Sequence, residues 1–206
     1  MNRGRAMSRK LVSRHPWVPL LFVQVGITLP EMVVTLAIVG ILSTAGVNSF
    51  EQLVVQSEVD ELSERMRTAL AMARSEAITR GQRAVLCRLN NSGDGCAGMV
   101  SDEKLSWRHG WMLFIDQNRD RQFAADDGDQ LLRIFAPINP QLELRWNRGD
   151  YVGYQGSGAL GSLNGTFCVG HRNHPDSYQQ ELILPYSGRL RTAAVTCRYD
   201  LFLDPE

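Results

Sequence analysis

The chain has 206 residues, of which 44% are hydrophobic and 21% are charged, with 22 basic and 22 acidic side chains. This even balance excludes a protein whose overall charge would draw it to nucleic acid, so any such contact has to be local. The four cysteines are an even number, which is compatible with disulfides in an oxidising compartment.

The N-terminal region contains an apolar run over residues 27–47, interrupted by Glu31. As a helix rising about 1.5 Å per residue, this run is long enough to cross a hydrocarbon core of about 30 Å. A carboxylate inside such a run is costly unless it finds a partner, so Glu31 is a functional candidate. Five basic residues and no acid precede the run, which predicts a cytoplasmic leader, an exported C-terminal part and a remainder of net charge −5. These basic residues are Arg3, Arg5, Arg9, Lys10 and Arg14.

The residues G-I-T-L-P-E from Gly26 to Glu31, followed by the apolar run, resemble the class III signal of type IV prepilins and type II secretion pseudopilins. The resemblance implies cleavage by a prepilin peptidase between Gly26 and Ile27, methylation of the new N-terminus, and pairing of Glu31 with the N-terminal amine of a neighbouring pilin. It also implies a single-pass inner-membrane protein with a periplasmic domain before assembly, and a place in the pilus at the cell surface afterwards. An ordinary signal anchor, or a secretory signal cut near residues 43–45, are the alternatives.

Residues 48–80 carry the pattern of an amphipathic helix that continues the apolar run without a break. Apolar residues recur at spacings of three and four, Pro30 lies in the first turn where its missing amide is tolerated, and Gly81 is expected to end the helix. The segment A-R-S-E-A-I-T-R at residues 73–80, followed by a strand and a cysteine, resembles the GspH, FimU and FimT branch of the pilin-like proteins. The apolar positions are Leu53, Val54, Val59, Leu62, Met66, Ala69, Leu70, Ala73 and Ile78.

Beyond Gly81 the pattern changes to short strands separated by Gly, Asn, Asp and Pro clusters. The predicted class is α+β, with the long helix packed on antiparallel sheet as in the pilin-like fold. Four regions follow: a leader over 1–26, a transmembrane and assembly helix over 27–47, its amphipathic half over 48–80, and a β-rich domain over 81–206. Loops over 90–108 and 148–164 are expected to be mobile or to make contacts. The predicted strands are 83–89, 110–116, 130–136, 141–147, 165–169, 181–186 and 189–197.

The cysteines Cys87, Cys96, Cys168 and Cys197 all lie in the predicted exported domain. They allow three disulfide connectivities. We favour Cys87 with Cys96 and Cys168 with Cys197, because each of these pairs closes a loop within one part of the domain.

The segment G-R-L-R at residues 188–191 places two arginines one residue apart in an extended stretch, after a glycine that permits a tight turn. Arg189 and Arg191 are then expected to project to the same side. Their guanidinium groups suit successive phosphates. Further arginines of this C-terminal region that could extend the basic surface are Arg145, Arg148, Arg172 and Arg198.

Gly188-Arg189-Leu190-Arg191 resembles the Gly-Arg-x-Arg motif of FimT-type minor pilins. That resemblance implies binding of double-stranded DNA at the pilus tip during natural transformation, and phosphate contacts would make this binding salt-sensitive and independent of sequence. The alternative is a structural minor pilin or a GspH-like pseudopilin of type II secretion that primes filament assembly, with these arginines contacting a neighbouring pilin or a carboxylate.

Other patterns are weaker. Residues 116–129 space oxygen ligands as a calcium loop does, but an acidic turn whose side chains cap backbone amides fits better. Cys168, His171 and His174 have zinc-like spacing, which oxidation of the cysteine would exclude. Trp146 lies near two arginines and is a candidate for base stacking. The chain carries no catalytic signature, so we expect a protein that is not an enzyme and uses no cofactor or metal.

Overall fold

The computed structural model describes residues 26–98, 106–161, 164–174 and 178–193 together with Cys197, and the backbone alone at residues 42–49. It divides into two compact units, residues 1–44 and 45–206. In the described part the elements are α1 (Leu29–Arg80), β1 (Ala84–Arg88), β2 (Trp111–Ile115), a 3-10 turn (Ala125–Asp127), β3 (Gln130–Phe135), β4 (Leu142–Trp146), β5 (Tyr151–Tyr154), β6 (Gly165–His171), β7 (Gln180–Leu184) and β8 (Arg191–Ala193).

The helix α1 is continuous over 52 residues, as its sequence predicts. It ends where Gly81 adopts a left-handed φ of 64°. The amides of Gly81 and Gln82 donate to the carbonyls of Ile78 and Ala77, which satisfies carbonyl groups at the helix end. Within the described residues, no helix combines the length and the apolarity that crossing a membrane requires.

In its described residues, the first unit consists of the N-terminal part of α1 and the residues just before it. Its apolar side chains from Ile27 to Ile41 are exposed, with half or more of the surface of each large one accessible. Apolar surface of this extent is typical of a segment that another molecule or a membrane covers.

In its described residues, the second unit contains two antiparallel sheets. Sheet I has the strand order β3-β2-β1-β5, and sheet II has the order β4-β6-β7-β8. In sheet II, Leu142 lies opposite His171 and Trp146 opposite Phe167, while Gly165 lies opposite Leu184. The turn after β7 is therefore at the same end of sheet II as the end of β4.

One core joins α1 to the inner faces of both sheets. The helix contributes residues at spacings of three and four, as expected for an amphipathic helix. Burial of this stripe explains why the helix and sheets form the α+β arrangement that the sequence predicts. The main contributors are Val59, Leu62, Met66, Leu70, Ala73 and Ala77 from α1, Ala84, Leu86, Leu113 and Ile115 from sheet I, and Leu144, Phe167, Val169 and Leu182 from sheet II.

The glycine-rich stretch 148–164 differs from its prediction as a mobile loop. It contains β5, which pairs with β1 and has three of its four residues buried. A Cβ on Gly156 would lie 2.6 Å from the carbonyl carbon of Gly81, so this backbone packs directly on the end of α1. The glycines here permit close packing, and the mobility predicted from them is wrong for the strand.

Candidate functional site

Residues 185–191, which connect β7 to β8 and include the first residue of β8, present the Gly-Arg-Leu-Arg segment; we call them the arginine turn. The Gly188 amide donates to the Pro185 carbonyl over 2.8 Å, which closes a tight turn. Gly188 has a φ of 71°, and a Cβ there would lie 2.3 Å from the carbonyl oxygen of Gly158. Only glycine fits this position, so the backbone that precedes the arginines is fixed.

Both arginines of this turn are exposed, whereas Leu190 between them packs against the core. Arg191 begins β8 and lies opposite Ile183 of β7. Among the described residues, no carboxylate lies within ion-pair distance of Arg189 or Arg191. The alternation therefore presents two guanidinium groups to solvent, with no described carboxylate paired to them.

Arg145 and Arg148 of the β4 region are engaged within the protein. The Nε and Nη2 atoms of Arg145 donate to Oε1 of Glu143 over 2.9 and 2.7 Å, and Arg148 Nε donates to the carbonyl of Asn164 over 2.9 Å. Arg145 is on the same face of sheet II as Arg191, since the cross-strand register places both on the face that alternates with the buried residues of β4 and β7. Its charge is balanced there by Glu143.

Of the remaining two predicted arginines, Arg172 does not join the arginine turn. Arg172 follows β6 next to the start of β4, where its amide donates to the Gln141 carbonyl over 2.8 Å. This is the opposite end of sheet II from the arginine turn. Arg198 lies outside the described residues. The described part of the predicted basic surface is thus centred on Arg189 and Arg191.

Two arginines that sequence reasoning missed, Arg67 and Arg74, lie on α1 beside the arginine turn. Arg67 Nη2 donates to the hydroxyl of Thr192 on β8, and its Nε donates to Glu64 over 2.9 Å. Arg74 Nε is buried and has no hydrogen-bond partner in the described part of the chain. Their spacing of seven residues, on one helix face with Leu70, is the signal that could have found them.

Two disulfides are present, and they are the pairs favoured from the sequence. Cys87 is joined to Cys96 with Cα atoms 5.6 Å apart, and Cys168 to Cys197 with Cα atoms 5.9 Å apart. The second bond closes a segment that contains β7, the arginine turn and β8. The Cys197 amide also donates to Gln179 over 2.5 Å, so the chain after β8 is tied back to sheet II.

Cys168 is a disulfide cysteine and is therefore not available as a zinc ligand. His171 and His174 instead face carboxylates of α1, with Nε2 of each 3.6 Å from Glu58 and 3.3 Å from Glu51 respectively. Among the described residues, no cluster of three or more His, Cys, Asp or Glu side chains is arranged to hold a metal ion.

The acidic loop between β2 and β3 is built from side-chain caps. Asp129 accepts hydrogen bonds from the amides of Gln117 and Ala124 over 2.9 and 3.1 Å. Burial raises the pKa of Asp116, and the Arg83 guanidinium 3.5 Å away partly offsets this rise. The loop is therefore an acidic turn whose side chains cap backbone amides, which is the interpretation that the sequence favours over a calcium loop.

Trp146 is not available as a platform for bases. Its side chain is buried and stacks on Phe167, with ring centroids 4.3 Å apart. Trp107 meets the same phenyl ring edge-on at 5.0 Å. The base-stacking expectation for Trp146 is therefore wrong, and the residue is a core anchor of sheet II.

Gly26 and Ile27 are exposed and lie shortly before α1, which begins at Leu29, and Glu31 is an exposed acid in its first turn. Peptide cleavage between Gly26 and Ile27 would remove no residue of the helix.

Comparison with known proteins gives the family. The family model described as type II transport protein GspH matches residues 62–184, which is more than half of the chain.

Among solved structures, the type IV minor pilin FimU of Pseudomonas aeruginosa PAO1 is 18% identical, covering 69% of this chain and 90% of its own, with a TM-score of 0.49. The minor pseudopilin EpsH from the type 2 secretion system of Vibrio cholerae is 16% identical, covering 66% of this chain and 97% of its own, with a TM-score of 0.45. No curated protein matches the chain. On the family match, the chain belongs to the family of the type II transport protein GspH.

Proposed function

We propose that this minor pilin binds extracellular DNA through Arg189 and Arg191 at the pilus tip, for uptake in natural transformation. The observation that carries the proposal is the state of these two side chains. Both are exposed on a turn fixed by Gly188, and no described carboxylate neutralises them.

Phosphate oxygens are the chemical partner that such a pair fits. Each guanidinium can donate two hydrogen bonds to one phosphate, and charge-assisted bonds of this kind are the stronger ones. Contacts to the phosphate backbone do not distinguish one base from another. We therefore expect the chain to bind double-stranded DNA of any sequence. It weakens steeply as salt rises, because each contact releases counterions.

Processing and assembly follow the prepilin pattern in this proposal. A prepilin peptidase cuts after Gly26 and the amine of Ile27 is methylated; Glu31 then pairs with the N-terminus of a neighbouring pilin. The exposed apolar side chains between Ile27 and Ile41 support this, because they need a cover. We assign that cover to the inner membrane before assembly and to other major and minor pilins afterwards, with the disulfide-containing domain in the periplasm.

A second function is a structural minor pilin or pseudopilin that primes filament assembly without binding DNA. The match to a type II transport protein favours it. In that case Arg189 and Arg191 contact an acidic surface of a neighbouring subunit, and the chain forms complexes with other minor pilins while ignoring DNA.

The experiment measures binding of the oxidised full-length chain, held in non-ionic detergent, to a fluorescent DNA duplex across a salt series. We expect a dissociation constant of roughly 1–100 µM at physiological salt. Replacing both arginines of the turn by Gln should weaken binding at least about tenfold and reduce the salt slope by about two.

The matched control is Arg119→Gln/Arg121→Gln, which removes two exposed arginines with the same spacing from the loop after β2. It changes the net charge equally and should alter affinity less than about twofold. If the wild-type chain does not bind DNA, or if the control loses as much affinity as the turn variant, the assembly function is the better account.

A further inference from the structure

A groove lies at the end of sheet II opposite the arginine turn, and the proposed DNA-binding function does not use it. Its volume is ≈ 300 Å³, at the lower limit of pockets that bury small ligands. Backbone hydrogen bonds hold its walls together, since the Ile138 amide donates to the Arg108 carbonyl over 3.1 Å and the Arg172 amide to the Gln141 carbonyl over 2.8 Å. The lining residues come from the segments before β2, between β3 and β4, at the start of β4 and after β6, and they are Arg108, His109, Pro137, Ile138, Pro140, Leu142 and Arg172.

The accessible part of this lining is apolar and positively charged. Pro137 and Pro140 are exposed and offer their rings to an apolar side chain. Arg172 is exposed and Arg108 is half-buried. His109 accepts a hydrogen bond at Nε2 from Nε of Arg108 over 3.1 Å, and no lining residue is acidic. The groove is therefore complementary to a segment that carries apolar side chains and carboxylates together.

The segment that follows Cys197 has this composition. It comprises residues 198–206, with the sequence R-Y-D-L-F-L-D-P-E, and lies outside the described part of the chain. Four of its side chains are aromatic or aliphatic, and its three acids against one arginine give it a net charge of −2. Its apolar run at 201–203 has an acid on each side. Such a segment matches the groove in charge and in apolar surface.

The position of Cys197 places the start of this segment near the groove. The Cys197 amide donates to the side chain of Gln179, just before β7. The next residue, Gln180, pairs with Val169 of β6, and Arg172 follows three residues later, which is about 10 Å along a strand. Nine extended residues span up to about 30 Å. The segment therefore begins at the groove end of sheet II and is long enough to reach the groove.

We propose that residues 198–206 dock in this groove of their own chain. The apolar side chains at 201–203 cover the two proline rings, and the flanking carboxylates pair with Arg172 and Arg108. This docking occurs within one molecule and does not depend on DNA binding by the arginine turn. The same segment of a second copy is the competing occupant, and the test separates the two.

The test places a photo-cross-linker in the segment, as Phe202→p-benzoylphenylalanine in the oxidised full-length chain held in non-ionic detergent. The matched probe is Tyr186→p-benzoylphenylalanine, at an exposed aromatic position of the arginine turn. After irradiation, gels separate cross-links within one chain from those between copies, and peptide mass spectrometry locates them. We expect the probe at position 202 to react within its own chain at residues 137–142, and the probe at position 186 not to react there.

The contribution of charge is tested by Arg172→Glu in the chain that carries the probe at position 202. Like charges then face each other, so the yield of cross-links to residues 137–142 should fall at least about threefold. Arg119→Glu, at an exposed arginine of the loop after β2, should leave the yield unchanged. Thermal melts establish that both variants are folded. Cross-links mainly between copies, cross-links mainly outside the groove, no cross-link at all, or equal yields in the two Glu variants would each overturn the inference.

Discussion

Sheet II uses arginine in two different ways, in the arginine turn and on β4. On β4, Arg145 is paired with Glu143 over 2.7 Å, within a strand whose other residues build the core. In the arginine turn, Arg189 and Arg191 are exposed and no described carboxylate pairs with them. The net charge of a segment therefore does not show whether that segment can bind an anion. The answer depends on whether each guanidinium is already paired with a carboxylate of the protein.

The difference arises from the local backbone. A regular strand places Glu143 and Arg145 on one face two residues apart, where they meet each other. The arginine turn is an irregular link held by Gly188, and its one apolar side chain, Leu190, fixes which way the arginines point. If this contrast is correct, changes on β4 should affect stability and changes in the turn should affect binding.

The largest loss of stability is expected for Trp146→Ala. The indole is buried against Phe167, and truncating such a side chain leaves a cavity that costs about 3–5 kcal/mol of unfolding free energy. DNA affinity of the folded protein should stay unchanged, because the ring does not face solvent. Denaturant melts and anisotropy, with Trp146→Phe as the milder control, check this; a selective loss of DNA binding without a loss of stability would contradict it.

Removing the Cys168–Cys197 disulfide is expected to lower the free energy of unfolding by nearly as much. In the chain-entropy view, Cys168→Ala/Cys197→Ala should cost about 3–4 kcal/mol, and Cys87→Ala/Cys96→Ala about 2.5–3 kcal/mol because its loop is shorter. Only the first closes a loop around the arginine turn.

DNA affinity is the readout that separates the two bonds. Loss of the Cys168–Cys197 bond should weaken DNA binding several-fold at a temperature where both variants are folded, and loss of the other bond should not. Equal affinities in the two double variants would mean that the disulfide does not support the arginine turn.

Gly188→Ala is expected to have the next largest effect, a loss of about 1–3 kcal/mol of unfolding free energy. Alanine at a φ of 71° is strained, and its Cβ would collide with the Gly158 carbonyl. Gly128→Ala is the matched control, because Gly128 has a φ of 85° but open space around it. We expect only Gly188→Ala to reduce DNA affinity as well as the melting temperature; the same effect from both variants would show that backbone strain alone is responsible.

The sequence was sufficient for the helix, for seven strands and for the family, because each depends on local patterns. The eighth strand, β5, was missed because its Tyr-Val-Gly-Tyr lies among glycines that indicate a loop, while pairing with β1 supplies its order. The exposure of Arg189 and the pairing of Arg145 with Glu143 could not be predicted from the sequence, since both depend on which residues the fold brings together. Arg67 and Arg74 were overlooked for the same reason, as their neighbours on β8 and β5 are distant in sequence.

The smallest effects are expected on the β4 pair, and they test the contrast most directly. Arg145→Gln removes a partly exposed ion pair, which is worth about 0.2–1 kcal/mol. If the charge of Arg145 is already satisfied by Glu143, the variant should bind DNA within about twofold of wild type. Glu143→Gln makes the complementary change: it removes one negative charge from the face that also carries Arg191, so affinity should rise slightly, by at most about threefold. A loss in Arg145→Gln as large as that in Arg189→Gln/Arg191→Gln would mean that the ion pair opens when DNA binds, and that β4 is part of the binding surface.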